Sequence, residues 1–330
     1  MFQNFWYAVE FSNLITHKPK RIEVLGEELV IYRTDGDKIV ALRDRCVHRG
    51  STLSNGWLDR GCIVCPYHGW QYQADGTCVK IPANPPNLGI PLKAKVKAYP
   101  VQEKYGWVWV FMGDPQRLQQ TSIPELEHLN DPTLARIEGD FHWSANYERV
   151  LENSLDIAHA PFVHAGAFGN RDEPEVENYQ VEILENEFCE IGASATVFLK
   201  PSPPRGLWKY LVGKNSAKVR TRTAFFMPNI SLLEVNLGLG RLVIYTSHVP
   251  IDAHTTVSKW ISLRSFFTGT WANGDARKRV LKIFNQDKPI VESQRPQIVP
   301  FDIGAELHVQ SDALQLQYRK IRDRYLKLNE

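Results

Sequence analysis

The chain has 330 residues, of which 43% are apolar and 11% aromatic, and its formal net charge is +2. This composition can bury a sizeable core, which excludes bulk disorder, and neither a basic block nor a known motif indicates nucleic-acid binding. The N-terminal sequence lacks the pattern of a signal peptide, and no apolar run reaches the ~20 residues of a membrane helix. We therefore expect a soluble, cytoplasmic protein without a membrane partner.

The first third of the chain predicts β-structure. Short β-branched runs in "RIEVLGEELVIYRTDGDKIVALRD" are separated by Asp35-Gly36, which is a hairpin signal, and "GWQYQADGTCVKIP" repeats the pattern at Asp75-Gly76. The segment "GWVWVFMGDP" then alternates as a strand. Many short strands with Gly and Asp turns predict a small antiparallel sandwich.

The remaining two thirds mix helical and strand periods. Residues 115–140 are predicted to be a connector, residues 144–159 a helix, and residues 179–199 and 222–264 strands. A long helix is predicted from Asn273, and a last packing helix from "SDALQLQYRKIRDRYLKL", with Ser311 as its N-cap. We expect an α+β protein with an all-β domain over residues 1–115. The second domain, residues 116–330, would hold an antiparallel sheet and a cavity.

Two short loops of the β-rich part each contain one cysteine and one histidine. They are "CVHRG", with Cys46 and His48, and "CPYHGW", with Cys65 and His68. Thiolate and imidazole are ligands that zinc and iron prefer. Mirrored Cys/His pairs fit a Rieske [2Fe–2S] centre, in which both cysteines bind one iron and both histidines the other.

A structural zinc site is the alternative to an iron–sulfur cluster. Cys62 forms a Cys-x2-Cys pair with Cys65, but that pairing leaves both histidines without a role. Five cysteines are few for a chain of this length, and their number is odd, so a disulfide framework is not expected. We therefore expect Cys62, Cys78 and Cys189 to be reduced thiols.

A second cluster of polar residues lies in "NYERVLENSLDIAHAPFVHAG". Asn153, Asp156 and His159 recur every three residues, so they would share one stripe of the predicted helix. Pro161 would end or kink that helix and allow His164 to approach His159. These two imidazoles predict a metal site.

The third ligand of that site can be distant in sequence. Asp287 lies on the apolar stripe of the helix predicted from Asn273, and a carboxylate that faces a core is costly unless it is paired or binds metal. A salt-bridged aspartate is the alternative. Together with His159 and His164, Asp287 would complete a 2-His-1-carboxylate triad for non-heme Fe(II).

With both ligand sets in place, the sequence resembles the Rieske non-heme iron oxygenases over nearly its whole length, from "NFWYAVEFSNL" to "HVQSDALQLQYRK". It is most similar to the terminal oxygenase (alpha) subunits of the branch that includes vanillate demethylase, toluenesulfonate methyl-monooxygenase, dicamba demethylase and the saxitoxin-pathway oxygenases. The resemblance implies a Rieske domain, a helix-grip (START-like) catalytic domain and a ring of three identical subunits.

The resemblance also implies roles for individual residues. Asp156 would bridge a cluster histidine of one subunit to an iron ligand of its neighbour, and Asn153 would lie close to the iron. A separate ferredoxin or flavin reductase would deliver electrons from NAD(P)H, and the enzyme would insert one atom of O2 into a C–H bond of a small cyclic or aromatic substrate. Ring dihydroxylation is less expected.

Some alternatives stay open at the level of sequence. Hydroxylation and oxidative O- or N-demethylation begin with the same oxygen insertion, so the ligand motifs do not separate them, and substrate-binding residues are unknown. A Rieske electron carrier or sensor is the reading from a different class. Two surface features also have two interpretations each, and the surface loop is the favoured one for residues 200–222. The arginines around the cluster loops, Arg43, Arg45, Arg49 and Arg60, form either a docking patch for an acidic ferredoxin or solvated loop charge. Residues 200–222 form either a lid or a surface loop.

Overall fold

The computed structural model describes residues 2–85, 87–164, 169–176, 179–186, 190–200 and 218–327. They form two compact units, one spanning Gln3–Ile123 and the other beginning at Pro124. The predicted α+β fold with an all-β N-terminal part is confirmed, whereas the boundary expected after residue 115 stays a prediction. Within the described residues, no helix combines the length and apolarity that crossing a bilayer requires.

The first unit is built from three small antiparallel sheets. Its strands are β1 (Phe5–Phe11), β2 (Lys20–Val24), β3 (Glu27–Arg33), β4 (Ile39–Arg43), β5 (Trp57–Asp59), β6 (Cys62–Val64), β7 (Gln71–Tyr72), β8 (Cys78–Lys80), β9 (Ala98–Tyr99), β10 (Val101–Lys104) and β11 (Trp107–Met112). The sheet orders are β1–β11–β10, β2–β3–β4–β9 and β5–β6–β7–β8. Both predicted hairpins are confirmed, since Asp35-Gly36 joins β3 to β4 and Asp75-Gly76 joins β7 to β8.

The second unit contains one antiparallel sheet and the helices that cover it. The strands are β12 (Ala135–Trp143), β13 (Gln180–Glu185), β14 (Glu190–Leu199), β15 (Val219–Phe226), β16 (Ile230–Leu237), β17 (Gly240–Pro250) and β18 (Thr256–Arg264), in the order β12–β18–β17–β16–β15–β14–β13. The helices are α1 (Tyr147–Leu155), α2 (Ala160–Val163), α3 (Asn273–Ser293) and α4 (Ala313–Lys327). Helix α1 packs on β16 and β17, α3 on β12 and α4 on β14.

The predicted connector over residues 115–140 was partly wrong. Two short 3-10 helices, Pro115–Gln120 and Glu127–Asn130, are followed by β12, which pairs with β18 along its whole length. Charged residues alternate with apolar ones in "ARIEGDFHW", and Gly139 interrupts the apolar set. This pattern suits a strand at the edge of a sheet, but it is too polar to stand out in the sequence.

The helix predicted over residues 144–159 ends four residues earlier than expected. Asn146 begins α1 by accepting a hydrogen bond from the Glu148 N–H at 3.0 Å. At the other end, the Asp156 carboxylate accepts from the Ala158 N–H at 2.8 Å, and Asp156 has an extended backbone. This local turn competes with the helix. Pro161 does not end α1, because it lies in the first turn of α2, where proline is tolerated.

Helix α3 begins at Asn273 as predicted. The last helix was also predicted, but Ser311 does not cap it. Ser311 lies inside a 3-10 helix, Gln310–Asp312, and the Asp312 carboxylate accepts from the Val309 N–H at 2.8 Å at the start of that segment. Beneath β12 and β18, an apolar core joins Trp143 and Trp260 to Phe284 of α3.

Candidate functional site

The two Cys/His loops follow strands β4 and β6, which fix where the loops begin. In each loop a glycine N–H closes the turn by donating to the cysteine carbonyl, Gly50 to Cys46 at 2.9 Å and Gly69 to Cys65 at 3.0 Å. Both glycines have positive φ, 74° and 70°, which side chains with a Cβ rarely adopt. The loops are therefore shaped by their own backbone.

The four predicted cluster ligands of these loops lie together. Cys46 and Cys65 are buried in the apolar core of the unit, with 2% and 1% of their surface exposed. The rings of His48 and His68 approach each other at the surface, with centroids 4.5 Å apart, and Trp70 stacks on His48. Two buried sulfurs and two outer imidazoles fit the asymmetric ligand set of a Rieske cluster.

Polar contacts with neighbouring residues stabilise the positions of Cys46 and of the first Cys/His loop. The Tyr72 hydroxyl lies 3.0 Å from Cys46 Sγ. Burial raises the pKa of the Cys46 thiol, so the thiolate form requires a stabilising positive charge such as a bound metal. The buried Asp44 carboxylate accepts from the backbone N–H and the hydroxyl of Ser54, at 2.7 and 2.6 Å, and thereby ties the first loop to its neighbour.

In the second unit, His159, His164 and Asp287 converge as expected. His159 Nε2 lies 3.3 Å from His164 Nε2, and Asp287 Oδ1 lies 3.5 Å from the first nitrogen and 3.1 Å from the second. Asp287 Oδ1 is buried, yet it meets neither nitrogen in hydrogen-bonding geometry. Three ligand atoms within 4.8 Å of one another, one of them an unsatisfied buried oxygen, fit a metal ion.

The protonation of these groups reflects their closeness. Burial lowers the pKa of His159, but the carboxylates of Asp156 and Asp287 outweigh burial and raise this pKa to about 9. Burial raises the pKa of Asp287, and its two histidine neighbours outweigh that and lower it. A metal cation would take over the role of the proton that the imidazoles and carboxylate otherwise share.

Gln286 is a residue of this site that sequence analysis missed. His164 Nδ1 lies 3.1 Å from Gln286 Oε1. An amide oxygen can only accept, so it places the imidazole hydrogen on Nδ1 and leaves Nε2 free to bind metal. Its position next to Asp287 on α3 is the only sequence signal that points to it.

The two remaining predicted site residues occupy different positions. Asn153 lies in the last turn of α1, and Asp156 follows the helix, with its Oδ2 3.5 Å from His159 Nδ1. The prediction that Asn153, Asp156 and His159 share one stripe of a helix was therefore wrong, because α1 ends at Leu155. Asn153 and Asp156 nevertheless line one cavity with His159, His164 and Asp287.

Residues of the sheet, of α1 and of α3 line this cavity. The volume of the cavity is about 110 Å³. This is similar to the volume of an engineered apolar protein cavity of ~150 Å³ that binds benzene. Its apolar walls include Leu233, Val235, Ile244 and Phe284, and its polar groups include Thr223 and Ser231. The size and the lining suit a small ring with few polar substituents.

The arginines around the cluster loops do not form one group. Arg43, Arg45 and Arg49 line a surface depression with Lys95 and Lys97, beside Cys46 and His48. Arg60 lies instead in the turn between β5 and β6 and does not line this depression. Arg43 is partly neutralised by Glu27 at 3.7 Å.

Two further sequence predictions concern the remaining cysteines and the segment 200–222. Cys62 and Cys78 are free thiols, as expected, whereas Cys189 lies outside the described residues. Residues 201–217, which contain most of the segment predicted as a lid or a surface loop, also lie outside them.

Comparison with known proteins gives matches over both units. Residues 5–100 match the Rieske [2Fe–2S] domain, and residues 143–328 match the vanillate O-demethylase oxygenase C-terminal domain. Methylxanthine N1-demethylase NdmA of Pseudomonas putida is 31% identical over 328 residues, covering 96% of this chain and 87% of that protein. The vanillate O-demethylase oxygenase subunit of a Pseudomonas species is 26% identical over 344 residues, covering 98% and 94%.

A solved structure, that of Pseudomonas putida CBB5 NdmA with caffeine, superposes with a TM-score of 0.80 at 30% identity, covering 96% of this chain and 89% of that one. These matches confirm the resemblance that the two ligand sets indicated. The chain belongs to the Rieske oxygenases, a family of oxidoreductases that includes monooxygenases and demethylases and carries a [2Fe–2S] cluster and a mononuclear iron.

Proposed function

We propose that the chain is the terminal oxygenase component of a multicomponent system. It inserts one oxygen atom of O2 into a C–H bond of a small cyclic or aromatic molecule. The observation that carries this proposal is the convergence of His159 Nε2, His164 Nε2 and Asp287 Oδ1 at the wall of a cavity. Two imidazoles and a carboxylate are the ligand set of non-heme Fe(II) oxygenases and leave positions for other ligands.

Each group of residues has a separate task. Cys46, His48, Cys65 and His68 would hold the [2Fe–2S] cluster, and His159, His164 and Asp287 would hold Fe(II). When bound, the cluster supplies single electrons and the iron supplies the activation of O2. The apolar cavity wall excludes water and orients the C–H bond toward His159 and His164.

The C–H bond that the comparisons favour is that of a methyl group on nitrogen or oxygen. Both full-length relatives described above are named as demethylases. Hydroxylation of such a methyl group uses one O2, two electrons and two protons, and releases one water. The resulting hemiaminal or hemiacetal then breaks its C–N or C–O bond and gives formaldehyde. Hydroxylation with retention of all carbon atoms is the second candidate.

Turnover would test this proposal. The purified holoenzyme would receive electrons from NAD(P)H through a surrogate reductase, with N-methyl heterocycles and methoxy-aromatics as probes. Formaldehyde equal to the substrate consumed supports demethylation, and a hydroxylated product without formaldehyde supports the second candidate. An iron-replete enzyme that gives no O2-dependent product from any probe would contradict both.

A pure electron carrier would need only the first unit. Iron analysis separates the two classes, because an oxygenase holds about three irons per chain and a carrier about two. The convergent His/His/Asp set supports the higher value.

We propose that Asp156 bridges a cluster histidine of one subunit to an iron ligand of its neighbour in a ring of three chains, so that electrons cross the subunit boundary close to it. Its carboxylate already contacts His159 on one side, at 3.5 Å. Asp156→Asn removes the charge and keeps the shape. We expect it to retain about three irons per chain and to lose product formation, while the cluster is still reduced by the donor. Wild-type turnover in this variant, or a monomeric wild-type enzyme with full activity, would contradict the bridge.

The electron donor is proposed to be an acidic ferredoxin or flavin reductase. The basic depression beside Cys46 and His48 supports this, because charge complementarity accelerates the encounter of the two proteins.

The cytoplasmic location expected from the sequence stays a prediction.

A further inference from the structure

A buried histidine lies behind the polar side of the cavity. His248 of β17 is completely buried, and three serine hydroxyls surround its ring. Nδ1 lies 3.0 Å from Ser258 Oγ, while Nε2 lies 2.9 Å from Ser231 Oγ and 3.3 Å from Ser154 Oγ. Ser231 and Ser154 line the cavity, whereas His248 and Ser258 do not.

The direction of these hydrogen bonds follows from what each group can do. An indole N–H can only donate, so Trp143 Nε1 donates to Ser258 Oγ at 2.9 Å. The Ser258 hydroxyl can then donate its own hydrogen to Nδ1 of His248, which lies 3.0 Å away. In that arrangement the imidazole hydrogen lies on Nε2.

The opposite side of the ring leads to the same tautomer. The Ser154 hydroxyl donates to the Val150 carbonyl at 3.1 Å, so toward His248 its oxygen can only accept. Burial lowers the pKa of His248 to about 3, which keeps the ring neutral in ordinary buffers. A neutral ring with its hydrogen on Nε2 donates to Ser231 Oγ, and the Ser231 hydroxyl hydrogen is left for another acceptor.

We propose that Ser231 is a specificity-determining residue that donates a hydrogen bond to an acceptor atom of the substrate, a carbonyl oxygen or a ring heteroatom. Trp143, Ser258 and His248 act as positioning residues that fix the direction of this donation. Ser231 lines the cavity from β16, where Leu233 and Val235 follow it at alternate positions on the same face. The inference rests on the proposed function and narrows its substrate class.

Thr223 strengthens this assignment. It lines the cavity on the neighbouring strand β15, and its Oγ1 is buried without a hydrogen-bond partner among the described residues. Buried hydroxyls are nearly always satisfied. A substrate with polar atoms on this side would satisfy both hydroxyls.

The test compares two probes that differ only in an acceptor, 4-methoxyacetophenone and 4-ethylanisole. Calorimetry with the intact holoenzyme would give their dissociation constants. A net hydrogen bond of about 0.5–1.5 kcal/mol corresponds to a preference of about 2- to 13-fold for the acetyl probe. We expect Ser231→Ala to bring this ratio close to one and leave the affinity for the ethyl probe unchanged.

Two further variants separate specificity from folding. Ser194→Ala removes a buried serine of β14 that does not line the cavity, and it should keep the wild-type ratio. Ser258→Ala leaves Ser231 intact but removes the donor to Nδ1, and it should lower the ratio at least about twofold. A merely structural role would weaken both probes equally.

The inference is overturned if the wild type shows no preference, if Ser231→Ala retains it, or if the acetyl probe does not bind up to its solubility limit. Formaldehyde release from the same probes reports separately on demethylation. Formaldehyde without an acceptor preference refutes only the role of Ser231. A preference without formaldehyde refutes only the proposed demethylation.

Discussion

Replacing Gln286 by leucine should weaken iron binding at the mononuclear site without affecting the cluster. Gln286 Oε1 accepts from His164 Nδ1 at 3.1 Å, and His164 has only 4% of its surface exposed. Leucine fills similar space but leaves the Nδ1 hydrogen without this acceptor, and the ring can then turn or change tautomer. An unsatisfied buried donor costs about 1–3 kcal/mol. Loss of such a partner typically lowers metal affinity about 10- to 100-fold, which agrees with that cost.

The assay is anaerobic dialysis against graded free Fe(II), followed by iron analysis, with the visible absorbance of the cluster as an internal standard for folded protein. Gln286→Glu keeps an acceptor and should bind iron as the wild type does. Asn285→Ala, at the exposed neighbouring position, is the matched control. If Gln286→Leu retains iron within about twofold of the wild type, this hydrogen bond does not orient His164.

Three further predictions concern other parts of the chain. Arg319 is buried and pairs with Glu152 at 2.6 Å, so Arg319→Met should lower the free energy of unfolding in urea by about 3–5 kcal/mol, whereas Lys320→Met at an exposed position should not. Burial lowers the pKa of His248 from 6.5 to about 3. Below about pH 6.5 the imidazole therefore binds a proton in the unfolded chain but not in the folded one, and the free energy of unfolding falls. Between pH 7.5 and 5.5 the wild type should lose about 1.4 kcal/mol more than His248→Gln, and equal losses would contradict this. Arg45→Glu with Arg49→Glu should slow cluster reduction by an acidic ferredoxin at least about tenfold at low salt. Arg60→Glu should not, and a rate independent of the charge at positions 45 and 49 would identify solvated loop charge.

The ligand sets were accessible from sequence because their chemistry is local. Cys46 and His48 share one turn, Cys65 and His68 share another, and short spacing fixes short distances. His159 and His164 are five residues apart, and Asp287 lies at helical spacing from Val280, Phe284 and Val291, so the predicted triad also followed from local patterns. Its placement at one point is a property of the fold.

The hydrogen bonds that connect Ser258, His248 and Ser231 beside the cavity could not be predicted in this way. His248 meets Ser258 because β17 pairs with β18 in one particular register, and Ser231 approaches from β16. A shift of one residue would turn each of these side chains to the other face of the sheet. A single sequence does not specify that register. The end of α1 was misplaced for a related reason, since the turn at Asp156 competes with a helical pattern that continues in the sequence.

The charged residues beneath α1 explain how this helix can serve as a wall of the cavity. Glu148 and Glu152 of α1 pair with Arg322 and Arg319 of α4 at 3.2 and 2.6 Å, and all four side chains are buried. Burying such pairs costs desolvation, and apolar residues would often stabilise the same interface better. Guanidinium–carboxylate pairs are directional, however, and they fix the rotation of a helix in a way that apolar packing does not. Because Asn153 lies one residue after Glu152, the ion pairs that orient Glu152 also set the position from which Asn153 faces the cavity.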